Sequence, residues 1–94
     1  MNYIDTARNE LAKKIDVPGQ LLDLYTLLIF TRGVATTWED VHDAWSIWQN
    51  TQDKTHRSLT PFDQLSDEIQ TLDREYAVAI REVAMKINPR NINF

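Results

Sequence analysis

Cysteine is absent from this chain, which excludes a disulfide framework, a thiolate zinc site and a cysteine nucleophile, and agrees with a reducing compartment. Glycine occurs only twice, at Gly19 and Gly33, so no phosphate-cradling glycine-rich loop and no Gly-x-Ser-x-Gly elbow can be built. Basic residues are in deficit: 10 Lys and Arg stand against 14 Asp and Glu, a net charge of -4. The resulting field repels phosphate backbones and anionic lipid heads, which disfavours nucleic acid and membrane surfaces as partners. Long apolar runs are missing as well. Residues 21–30 form the longest, interrupted by Asp23, and reach about half of the ~20 residues that a bilayer crossing requires. The first 15 residues mix acids with bases and lack a continuous apolar stretch, unlike a secretory signal. The expectation is one soluble domain over residues 1–94, located in the cytoplasm.

The residues that are present describe helices. Ile4, Ala7, Leu11 and Ile15 recur at spacings of three and four, which predicts an amphipathic helix over about residues 5–15. Pro18 then disfavours helical geometry at Val17, and Gly19 is expected to permit a sharp reversal. A second helix, about 20–32, is apolar on nearly every side and is expected to be embraced by the others, with Gly33 as its left-handed cap. Thr37 is the expected N-cap of a third helix, about 38–49, whose Trp38, Val41, Trp45 and Trp48 form one stripe. Residues 49–58 are polar and read as a loop, followed by a short helical turn at 61–65. Ile69, Leu72, Tyr76, Ile80, Val83 and Ile87 then predict a single long helix over about 66–87, stopped at Asn88-Pro89, with Ile92 and Phe94 in a polar tail. The predicted fold is all-α, a compact four-helix bundle whose core is closed by Trp38, Trp45, Leu59, Phe62 and Tyr76.

No motif in the chain carries bond-making chemistry. Glu39-x-x-His42 has the spacing of a di-iron half-site, but a second copy is lacking, so Glu39 reads as a capping acid and His42 as half-buried. Ser58, His56 and Asp53 or Asp63 contain the residue types of a triad without an oxyanion-hole glycine. Asp63, Asp67, Glu68 and Asp73 cluster near a helix start, where acids favour the dipole, and read as capping and solvation. No metal, cofactor or enzymatic activity is expected. The candidate binding residues are Trp45, Trp48, His56, Arg57, Arg74 and Arg81, since indoles stack on planar groups and guanidinium ions meet anions. His56 can either tie its loop to a backbone group or contact a ligand. The apolar second helix also admits a homodimer.

Taken together, Val41-His42-x-x-Trp45, His56-x-x-Leu59-x-Pro61-Phe62-x-x-Leu65 and Asp73-Arg74 leading to Ala79-Ile80-Arg81 resemble the ryanodine receptor repeat over residues 37–87. Phe62 stands where that family usually has Tyr, and a Gly-Trp-x-Tyr segment after the third helix is lacking. The resemblance implies a non-catalytic module that recognises a protein surface or a nucleotide-like ligand. The whole chain is also similar to small proteins of actinobacterial phages, which implies an accessory factor that binds a host protein in the host cytoplasm. The leading expectation is therefore a host-protein interaction through exposed aromatics and the 49–58 loop. The alternative is a sensor of an anionic, nucleotide-like small ligand held between the indoles and Arg74 or Arg81.

Overall fold

A computed structural model describes residues 2–87 of the chain. The architecture is the expected compact all-α bundle, with two short 3-10 turns. Its helices are α1 (Tyr3–Ala12), α2 (Gly19–Thr31), α3 (Trp38–Gln52), α4 (Asp67–Thr71) and α5 (Arg74–Ile87); the turns are Gly33–Ala35 and Phe62–Gln64. The expected stop at Asn88-Pro89 and the apolar Ile92 and Phe94 lie outside the described residues.

Local chemistry explains the helix ends. At α1, the Asn2 side-chain oxygen accepts from the Asp5 N–H at 2.9 Å. At α3, the Thr37 hydroxyl accepts from the Asp40 N–H while the Asp40 carboxylate accepts from the Thr37 N–H, a reciprocal box that satisfies two free donors. Arg32 adds a charged bond to the same carboxylate at 2.9 Å, which ties the end of α2 to the start of α3. Gly33 has φ 56°, the left-handed geometry expected of it. Gly19 differs from expectation: its φ is not positive, and it is the first residue of α2. Its small size matters for another reason, because a Cβ there would lie 3.3 Å from the Arg8 guanidinium, which donates to the Gly19 carbonyl.

The single helix predicted for 66–87 is interrupted. Leu72 and Asp73 donate their N–H groups three residues back, to Ile69 and Gln70, so the helical bonding tightens and is interrupted between α4 and α5. The Gln70 side chain donates to the Phe62 and Leu65 carbonyls, tying α4 to the second turn.

The core lies where α2 meets α1, α3 and α5. Tyr25, Leu11, Ile29, Ile80, Val41 and Val83 are its largest fully buried side chains. Trp38, Trp45 and Tyr76 pack half-buried against it as expected, whereas Leu59 and Phe62 cover the loop region and do not join that cluster. α2 is covered on most sides, but Leu27 is exposed, so its apolar wrap is incomplete. No described helix is long and apolar enough to cross a membrane.

Candidate functional site

A cleft of about 690 Å³ opens beside α2, between the 16–18 segment, the middle of α3, the 56–58 loop and the α4–α5 break. The sequence builds it from elements far apart in the chain. α3 presents Trp45 and Trp48 one turn apart, α2 contributes Leu21 and Tyr25, and the break supplies Leu72, Asp73 and Tyr76. Ile69 and Leu72 continue the apolar stripe of Tyr76, Ile80 and Val83 past the break and, with Tyr76, line the cleft, Leu72 being 63% exposed.

The cleft has an ordered polar wall. His42, buried against expectation at 3% exposure, donates from Nε2 to the Thr60 carbonyl at 2.7 Å. The Ser46 hydroxyl lies 3.3 Å from the same nitrogen. With Nε2 engaged as a donor, Nδ1 of a neutral ring is a lone pair, and it faces the Asp73 carboxylate at 3.9 Å. The pair attracts only when one of its members holds a proton. Burial pushes the Asp73 carboxyl up to about 6, and the nearby His42 offsets only part of that rise. Tyr25 and Tyr76 stand beside it with ring centroids 5.6 Å apart. Burial, then the Asp73 charge, raises the Tyr25 phenol; burial, then Glu75, Asp73 and Asp16, raises Tyr76.

The aromatic wall is braced by rings. His42 stacks on Trp45 at 5.7 Å, and His56 meets Trp45 in an edge-on arrangement at 5.1 Å. His56 Nδ1 accepts the Ser58 N–H at 3.0 Å, which leaves Nε2 as the protonated nitrogen of the neutral ring. Asp53 orders the start of this loop by accepting from both the Thr55 N–H and its hydroxyl. Because α3 runs on to Gln52, the loop begins at Asp53, later than the pattern of residues 49–58 suggests.

Of the residues singled out from sequence, Trp45, Trp48, His56 and Arg57 come together on this cleft. Arg74 is exposed and does not line it. Arg81 donates to the Ala77 carbonyl and lines a different groove, of about 490 Å³, with Trp38 and Phe62. The indole stripe is therefore divided between two faces. Sequence reasoning missed Tyr25, Asp73 and the 16–18 segment. A signal for Asp73 existed: Ala77, Ile80 and Ala84 follow it at helical spacing and are all buried, so an acid stands on an apolar face. The Glu39-x-x-His42 spacing assembles no site, and among the described residues no three His, Asp or Glu side chains group as metal ligands.

Fold and cleft together define a small all-α module with an aromatic, carboxylate-edged groove. Residues 2–85 match the family described as a domain of unknown function, DUF7701, and the chain belongs to that family. No curated protein and no solved structure matches the chain.

Proposed function

We propose that this chain is a non-catalytic binding module and that the cleft between α2, α3 and the α4–α5 break is where its ligand sits. The observation that carries this reading is the combination of an open volume of about 690 Å³ with two indoles and a polar wall already fixed by His42 and His56. Binding sites for small molecules are typically clefts of about 300–1,000 Å³ with apolar walls and a few placed polar groups. The ring contacts around Trp45 hold the wall in position without a ligand, so little ordering entropy opposes binding.

The test is a thermal-shift screen of a chemically diverse panel against the full chain and against Trp48→Ala in parallel. Compounds that raise the melting temperature of the native chain and not of the variant support the cleft. A panel in which every active compound stabilises both proteins equally refutes it.

A second reading, a host-protein partner that inserts a side chain into the same cleft, is favoured by the apolar rim. Ile69 and Leu72 line the opening and are exposed, and Arg57 adds a cation on the adjoining loop. A partner recovered by affinity capture and lost on both Leu72→Glu and Arg57→Glu supports it. Capture unaffected by either substitution removes it.

A further inference from the structure

We propose that the ligand of this cleft is a small organic ammonium ion, held against the indole and phenol faces and neutralised by the carboxylates at its edge. The inference rests on the reading of the cleft as the binding site and adds the chemistry of what enters it.

Charge is the first argument. Asp16, Asp73 and Glu75 line the cleft, and among the described residues Arg57, exposed on its loop, is the one Lys or Arg that does so. After burial, Glu75, Asp73 and Asp16 each raise the Tyr76 phenol, so all three carboxylates lie near this part of the lining. An anionic ligand would meet them as repulsion, with Arg57 as the lysine or arginine among the described lining residues to offset it.

An independent argument comes from Tyr25. Its side chain is 1% exposed and lines the cleft; since no buried polar side-chain atom among the described residues lacks a partner, the Tyr25 hydroxyl, which bonds to no other described residue, keeps what solvent contact it has at the cleft surface. A neutral apolar ligand would strip water from this hydroxyl and from the Asp73 carboxylate and return nothing, which is unfavourable for both groups. An ammonium ion repairs both, since its charge meets the carboxylate and its polar hydrogens or attached hydroxyl meet the phenol.

The walls decide between an organic and a metal cation. A hard metal ion requires several oxygen ligands converging on one point, and no such group occurs among the described residues. Indole and phenol faces instead attract a diffuse, weakly hydrated cation, by about 0.5–2 kcal/mol per well-placed ring. Trp48, which makes no ring contact among the described residues, supplies such a face beside the histidine-braced Trp45, and the cleft volume is that of a small-molecule site.

The test titrates the full chain carrying Trp38→Phe, so that fluorescence reports Trp45 and Trp48, with calorimetry on the native chain in parallel. The probes are choline, its uncharged carbon isostere 3,3-dimethylbutan-1-ol, and adenosine monophosphate. Choline is expected to saturate, with the isostere weaker by about tenfold. Glu75→Gln, on an exposed side chain, and Asp73→Asn are each expected to weaken choline by about threefold to tenfold and to leave the isostere unchanged. Equal affinity for choline and its isostere overturns the cationic assignment. So does saturation by the nucleotide in the absence of any response to choline. In both cases the cleft survives as a binding site. Silence from all three probes overturns the ammonium proposal, and the cleft itself falls only if the broader thermal-shift panel also finds no ligand sensitive to Trp48→Ala.

Discussion

Asp73 is the residue at which fold and site make opposing demands. Its carbonyl accepts the Ala77 N–H at 3.1 Å and so starts α5, while its carboxylate is drawn among Tyr25, Tyr76 and His42, away from most of the solvent. In the folded chain this carboxyl keeps its proton up to about pH 6, against an ordinary value of 3.8. Between those two values the folded state binds more protons than the unfolded one. The stability this group contributes is thus fully present below pH 3.8 and is lost as pH rises through about 6. Asp73→Asn carries no such loss. Its stability relative to the native chain is expected to improve from pH 4 to pH 7 by about 1–3 kcal/mol, measured by urea unfolding at both values. An advantage that stays flat or shrinks with rising pH would mean that the carboxyl is better solvated than its setting implies. A group that weakens the empty fold at neutral pH, and that lines the cleft, is suited to interact with something from outside.

At the scale of elements, the parts that could be read from sequence are those whose causes are local. Thr37 and Asp40 lie three residues apart and fix the start of α3 by themselves; Gly33 ends α2 through its own backbone freedom. The α4–α5 break could not be read in this way. The apolar spacing from Ile69 to Ile87 continues across it unbroken, and the contact that ties α4 elsewhere comes from Gln70, whose partners at Phe62 and Leu65 lie in and just after a separate turn. The cleft was hidden for the same reason: Trp45 and Trp48 announce themselves, but the 16–18 segment and Tyr25 join them only once the bundle has formed. If Gln70 anchors α4 to the second turn, then Gln70→Ala is expected to lower stability by about 1 kcal/mol while sharply accelerating hydrogen exchange at the amides of residues 69–73. Accelerated exchange spread evenly over α1 and α2 would contradict a local anchoring role.

For the molecule as a whole, the question is which long-range contact closes the bundle. Besides the looser Lys14–Glu82 pair at 3.9 Å, two candidates join α5 to the rest of the chain. Lys86 donates to Glu10 at 2.9 Å, linking α5 to α1 across 76 positions, and the two lysines bonded to that carboxylate, Lys86 first and Lys13 second, hold Glu10 below its usual range. Ile80, fully buried, sits where α5 meets the core formed by α1, α2 and α3. Magnitudes separate them. An ion pair with an exposed lysine is worth at most about 1 kcal/mol, since solvent screens the attraction and fixing the side chain costs entropy. Emptying a packed site by Ile→Ala costs about 2–5 kcal/mol, because the transfer energy is lost and the cavity relaxes only partly. Domains of this size have total stabilities on the order of 5–10 kcal/mol, so Ile80→Ala removes a large share and Lys86→Ala a small one. The expected result is a pronounced fall in the urea midpoint for Ile80→Ala, a shift of about half of that or less for Lys86→Ala, and almost none for the exposed Met85→Ala. Comparable losses for Ile80→Ala and Lys86→Ala would mean that charge, not burial, fastens α5. The cleft depends on the same answer, because Asp73 and Tyr76 are positioned by α5: a ligand that fills the cleft is expected to restore part of the midpoint lost in Ile80→Ala and none lost in a variant whose cleft wall has been removed.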